Sequence, residues 1–429
     1  MLRPWHFIVA FGLVSLLADM VYEGARSIIG PYLATLGASA TVVGLVAGLG
    51  EFIGYGLRVV TGYAVGRTRH YWTWTILGYA LTVLSVPLIG VTGVLAPALL
   101  LYATERLGKA VRSPAKDTLL SYASARTGRG SAFGVHQALD QTGAVLGPLL
   151  LAAVLGWRDG DYALAFGVLI VPGILVLALL FWLRHRVPDP LQYETGEAAD
   201  AIAAPGDAGS GADGADAAGA DPAGAAGATA SPSPLDPALA RRLPASFWLY
   251  VAAIAVLSCG VASFPLLAFH AQTTGLLSDA QVPLLFALAM FVDGASGLVM
   301  GRAYDRLGPR TLLAVPVAAA AAALAFSSDV ALVWIGVAVW GVVNGVLDST
   351  VKAVVAELVP AASRAVAFGW LAFVRGIGLL IAGGLLGLAY DRGIGWVIAA
   401  VLAANALALI GLVVVLRRIH PSRPRPRTP

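Results

Sequence analysis

The chain has 429 residues, 58% hydrophobic and 12% charged, with a formal net charge of +4. Soluble domains carry about 25% charged residues, so this composition excludes an ordinary soluble globule. The basic residues are scattered over short loops rather than gathered on one face, which excludes nucleic acid as a partner. The single Cys259 excludes an internal disulfide framework.

Continuous apolar runs approach or exceed the roughly 20 residues that a helix needs to cross a bilayer. A β-barrel would need alternating runs instead. The expected fold is therefore an all-α polytopic membrane protein. Twelve helices are expected near 5–36, 40–65, 72–93, 95–123, 131–156, 162–184, 246–271, 280–304, 311–327, 329–358, 364–390 and 394–417. The first run lacks a small-residue cleavage pattern and carries Asp19 and Glu23, so it is read as a retained helix rather than a signal peptide. Residues 191–240 hold eight acids and no Lys or Arg in an Ala/Gly/Pro/Ser background. Such a stretch buries too little apolar surface to fold, and it is read as a disordered linker. The expected domains are a six-helix bundle at 1–190, a linker at 191–243, a second bundle at 244–417 and a basic tail at 418–429.

Eighteen arginines, from Arg3 to Arg427, fall at the loop ends of one side, against Arg158 and Arg392 on the other. The positive-inside rule then puts both termini and the linker in the cytoplasm of a cell bounded by this membrane. The two halves also repeat. Ala132-Phe133-Gly134 recurs as Ala367-Phe368-Gly369, and the same offset of 235 carries Asp140 to Arg375 and Asp117 to Lys352. Helices that repeat in the same order imply a parallel repeat about an axis along the membrane normal. Gly383, Gly384 and Gly387 are expected to allow close helix packing.

Ionisable groups at membrane depth are costly unless they face protein or water and find a partner. The first helix holds Asp19, Glu23 and Arg26, and the second holds Glu51. The carboxylates are candidates for carrying protons or gripping a cation; an internal Glu23–Arg26 salt bridge is the plainer alternative. Glu105, Lys109, Arg112 and Lys116 are spaced so that a helix puts them on one stripe. Depth divides that stripe. Lys116 and Asp117 fall at the cytoplasmic end and read as structural, whereas Glu105, Lys109 and Arg112 are expected to line a cavity. His136 and Asp140 are one turn apart, an arrangement that suits a proton relay. In the second half, Asp348 and Lys352 read as a local ion pair, and Arg375 is expected to face Asp140 across the cavity. No metal-ligand spacing, P-loop or dinucleotide fingerprint appears, so no cofactor and no ATP are expected. Protons or the solute gradient remain as energy sources.

On these residues the chain resembles the major facilitator superfamily. The loop GRAYDRLGPR carries Gly301, Asp305, Arg306, Gly308 and Arg310 of that family's signature. The first-half loop GYAVGRTRHY keeps Gly62 and Arg67, with Gly66 where the acid belongs. Gly143, Gly147 and Pro148 match half of a motif seen in proton-coupled antiporters of the family. The resemblance implies two six-helix bundles, a conformational latch at the loop residues, and secondary transport without enzymatic chemistry. The expectation is a monomeric transporter in the cytoplasmic membrane, in contact with lipid, that moves a small organic solute. Export coupled to protons is favoured, and the basic groups suit an anionic or zwitterionic solute. A uniporter or importer of an anionic metabolite, and a non-transporting receptor on the same fold, are the alternatives.

Overall fold

The computed structural model describes residues 2–124, 127, 129–193, 243–360 and 363–419. Among these residues all regular structure is helical. In chain order the α-helices are α1 (Pro4–Thr35), α2 (Ala40–Thr68), α3 (Tyr71–Val91), α4 (Leu95–Ser124), α5 (Arg129–Trp157), α6 (Tyr162–Val168) and α7 (Ile170–Arg186). They continue as α8 (Ala245–Cys259), α9 (Phe264–Thr273), α10 (Gln281–Leu307), α11 (Ala314–Ala321), α12 (Val330–Leu358), α13 (Arg364–Arg392) and α14 (Ile394–Ile419). The linker beyond Tyr193, the tail beyond Ile419 and Arg126 lie outside the described residues.

Ten segments are long and apolar enough to cross a membrane. Helix α4 is not among them, because Glu105, Arg106, Lys109 and Arg112 all fall within its first eighteen residues. One candidate, Gln281–Phe326, spans two of the expected helices.

Three expected helices are not continuous. The sixth is divided at Leu169 into α6 and α7, where Pro172 leaves a carbonyl of the preceding turn without its N–H partner. The seventh breaks between Cys259 and Phe264, with Pro265 in the first turn of α9. Backbone freed at membrane depth must be satisfied by protein. Trp340 Nε1 donates to the carbonyl of Ala262 at 2.7 Å, and Asn405 Nδ2 donates to that of Gly260 at 3.0 Å. The ninth is a short α11 between two 3-10 segments, Gly308–Leu313 and Ala322–Phe326.

Short turns alternate the helix directions. The ends at Pro4, Thr68, Ser124, Arg186, Leu307 and Leu358 therefore share one face, here called the arginine-rich face. Within the first half α1 packs on α5, α3 on α4 and α2 on α4; within the second half α10 packs on α12 and α8 on α14. Lipid tails are as apolar as Leu, so burial gives little drive for helices to associate in a membrane. Close packing of small residues does the work instead. A Cβ at Gly24 would stand 3.4 Å from the backbone of Gly147, and Gly143 and Gly147 lie directly on the Leu16 and Met20 carbonyls. The glycines of the antiporter-like motif are thus the surface of α5 that receives α1.

The halves meet most closely at the opposite face. Helix α2 lies along α13, where a Cβ at Gly48 would stand 2.7 Å from the Leu379 carbonyl oxygen and one at Gly387 would stand 2.6 Å from that of Ala40. Asp391 at the end of α13 accepts from the Ala40 and Thr41 amides at 3.2 and 3.0 Å, and from the Thr41 hydroxyl. Tyr162 donates to Asp279 Oδ1 at 2.7 Å across the same face.

Candidate functional site

Between the halves lies a cavity of about 1080 Å³. Its walls run from Gly48, Gly383 and the Val261–Ser263 break to Arg58, Lys116, Asp117 and Lys352. These last four lie toward the arginine-rich ends of α2, α4 and α12. The cavity therefore opens toward the arginine-rich face, while the α2–α13 seam and the Asp391 contacts close the other.

The wall from the first half is charged. Arg26 on α1 pairs with Glu51 on α2 at 2.9 Å and with Glu23 one turn away at 3.5 Å. Glu51 also holds Arg106 of α4 at 3.6 Å. Arg106 reaches Glu105 at 2.7 Å, and Lys109 reaches Glu23 at 3.6 Å. Three helices are thus tied together by three carboxylates and three cations. Each partner is largely buried, so removing one would strand a charge in low dielectric.

Arg112 differs. Its guanidinium carbon stands 4.4 Å from the centre of the Tyr79 ring and 5.1 Å from that of Tyr22, whose ring also lies 4.3 Å from Lys109 Nζ. The side chain is 2% exposed, and Nε and Nη2 have no hydrogen-bond partner. No carboxylate oxygen of the described residues lies within 4 Å of it.

Asp19, also 2% exposed, has an unpartnered Oδ1 and lines the cavity. Asp140 lines the same wall, and its Oδ1 accepts from Ser15 Oγ at 2.8 Å. His136 is buried behind them, with Nε2 at 3.3 Å from both Ser15 Oγ and Lys116 Nζ.

Several sequence expectations change here. Glu105 does not line the cavity; it is 1% exposed and turned toward Arg106, because α4 buries that flank on α2 and α3. Lys116 is not a mere end pair. It lines the cavity and meets His136, while Asp117 stands 3.9 Å away. Asp348 pairs not with Lys352 but with Arg375, at 3.1 Å. Consequently Arg375 is held by Asp348 of its own half and by the ring of Tyr55 on α2, 5.2 Å from its guanidinium carbon, rather than aimed at Asp140. Spacing along one helix finds i, i+4 partners only, so it missed the α12–α13 pair and the tyrosines beneath Arg112 and Arg375.

The loop residues are solvent-facing. Asp305, Arg306 and Arg310 are exposed, with no ion pair to them among the described residues, and Arg67 is exposed. Helix α2 ends at Arg69 with φ of 54°, and α10 ends at Gly308 with φ of 64°. Gly62 and Gly301, seven residues earlier in each loop motif, are partly buried.

A family model described as the Major Facilitator Superfamily matches residues 11–277 and 249–429. The chain belongs to the Major Facilitator Superfamily. As a member it is a multi-pass transmembrane transporter, not an enzyme. A superfamily relative called an uncharacterized protein, from Mycobacterium tuberculosis (strain ATCC 25618 / H37Rv), is 44% identical over 425 residues, which is 98% of this chain and 96% of its own. Among solved superfamily structures, a variant of the nucleoside transporter NupG superposes with a TM-score of 0.73 at 11% identity, covering 96% of this chain and 99% of that one. A bacterial homolog of the human lysosomal transporter Spinster, inward-facing and occupied, gives 0.67 at 15% identity, covering 99% of each chain. At these identities the two structures speak for the fold alone.

Proposed function

We propose that this transporter exports a small organic solute across the cytoplasmic membrane in exchange for protons. The observation that carries the reading is the Asp19–Asp140 pair. Both carboxylates line the cavity wall, Asp19 Oδ1 is buried without a partner, and no cation lies within 4 Å of Asp19 among the described residues. Two carboxylates on one buried wall repel when both are charged, and a proton on either removes the repulsion. Solute entering the cavity would meet this pair, so release of the proton and loading of solute are linked. The arginine-rich face is read as cytoplasmic by the positive-inside rule. The cavity would then be open inward, and rocking of one half on the other would expose it outward.

The test is purified protein in liposomes with a pH-sensitive dye inside. Solute added on the cytoplasmic side should move protons across, and Asp19→Asn should still bind solute but lose the proton signal. Undiminished proton movement in Asp19→Asn would remove Asp19 from the mechanism. A second reading, uptake or facilitated passage of an anionic metabolite, is favoured by the unpaired Arg112. It predicts protons moving with the solute, or no proton movement at all.

A further inference from the structure

Among the described residues the first-half wall holds one deep cation outside its ion pairs, with Asp19 and Asp140 the unpaired carboxylates on the same wall. The deep cations Arg26, Arg106 and Lys109 each have a carboxylate within 4 Å. Arg112, one turn from Lys109 along α4, has none among the described residues. Two tyrosine rings lie within 5.1 Å of its guanidinium carbon, and two of its nitrogens lie buried without an acceptor. A cation–π contact accepts charge through the ring faces and leaves the in-plane N–H groups free. A guanidinium is the side chain whose planar N–H fork matches a carboxylate or a phosphate. Arg112 also lines the large cavity, beside Ser113 and Lys116.

We propose that Arg112 is the subsite that takes the anionic group, a carboxylate or a phosphate, of the transported solute, with the rings of Tyr22 and Tyr79 beside it and Lys109 as the second cation. The proposal rests on reading the cavity as the transport site, and it narrows the solute to organic anions or zwitterions. Lys109 is shared, because Glu23 holds it at 3.6 Å. It therefore adds attraction, while Arg112 supplies the directed hydrogen bonds. The other cavity-lining cations are placed differently. Arg375 is neutralised by Asp348, and Arg58 and Lys352 are more exposed, toward the open face.

The experiment is thermal unfolding of the full-length protein in detergent with four probes: citrate, glycerol 3-phosphate, inorganic phosphate and, as a cation, choline. Protection by citrate alone points to a carboxylate solute, and protection by either phosphate points to a phosphorylated one. Arg112→Gln should weaken that protection by about tenfold or more, and Arg112→Lys should keep part of it. A readout that needs no variant is phenylglyoxal modification followed by peptide mass analysis. The protective anion should slow labelling of Arg112 in the wild-type protein and leave exposed Arg67 unchanged. The assignment is overturned if none of the three anions protects, if choline alone does, or if protection survives in Arg112→Gln. Anion protection lost in Arg112→Gln, but without proton movement in liposomes, keeps this subsite and removes the proton-coupled reading.

Discussion

The two halves share a topology but not a chemistry. On the first-half wall, Glu51 ties Arg26 of α1 to Arg106 of α4, and Glu23 ties Arg26 to Lys109. The second half offers one deep pair, Arg375 with Asp348, and the Asp348 side chain is 57% exposed. At repeat-related positions Asp140 accepts from Ser15 within the first half, whereas Arg375 pairs with Asp348 and lies over Tyr55 of the first half. The difference implies a division of labour. One wall holds its charges in a lattice across three helices, and the other carries Asp293, Asp348, Lys352 and Arg375 among small and apolar side chains.

The comparison is broken most sharply at Glu51. Glu51→Gln leaves two guanidiniums, one of them 2% exposed as a side chain, without their shared carboxylate. Breaking a buried pair from one side costs about 3–5 kcal/mol. The corresponding change in the other half, Asp348→Asn, removes a partly exposed partner and should cost about 0–1 kcal/mol. Thermal unfolding of the two variants should separate them widely. Equal losses would mean that the second-half pair is as structural as the first-half lattice.

A smaller effect is expected where the halves touch. Asp391 closes the face opposite the cavity mouth by accepting from the Ala40 and Thr41 amides, in the way that an N-cap satisfies a helix start. Asp391→Ala should cost the closed arrangement about 1 kcal/mol, a shift of roughly fivefold between conformers. Spin labels in the 36–39 and 392–393 turns should report a longer distance in the variant. An unchanged distance distribution would show that the glycine seam of α2 and α13 holds the face shut without Asp391.

Much of this was legible in the chain and some was not. Helix positions followed from apolar runs, because a bilayer demands about 20 apolar residues whatever the tertiary context. The depth of Asp19, Glu51, Lys109 and Arg112 followed from counting residues along those runs. The partners did not, since they lie on other helices. Arg26 could be paired with Glu23 from spacing, but its shorter contact is Glu51 on α2. Asp348 looked like the partner of Lys352 until α13 brought Arg375 beside it. The breaks at Leu169 and at 260–263 were also missed. Proline marked both places, yet hydropathy cannot say whether Trp340 and Asn405 stand ready to satisfy the freed backbone.

The smallest expected effect lies in the two loop motifs, which align residue for residue. Both helices end with a residue at positive φ: Arg69 in the left-handed helical region at φ 54°, ψ 16°, and Gly308 at φ 64°, ψ −154°, a region open almost to glycine alone. Glycine meets no steric penalty there, whereas a side chain costs about 1 kcal/mol. In each case the cap amide still bonds back into the helix, to Val65 from Arg69 and to Tyr304 from Gly308. The geometry is therefore demanded by the loop, not by the residue. Arg69→Gly should stabilise the first half by about 0.5–1 kcal/mol, less the entropy that glycine returns to the unfolded chain. Gly308→Ala should destabilise the second half by at least about 1 kcal/mol. Opposite shifts in melting temperature would show that each loop imposes positive φ on its cap residue and that only the second half meets it with glycine. A loss of stability in Arg69→Gly would show that the exposed arginine anchors the loop by charge, and that the halves differ here in function as well as in strain.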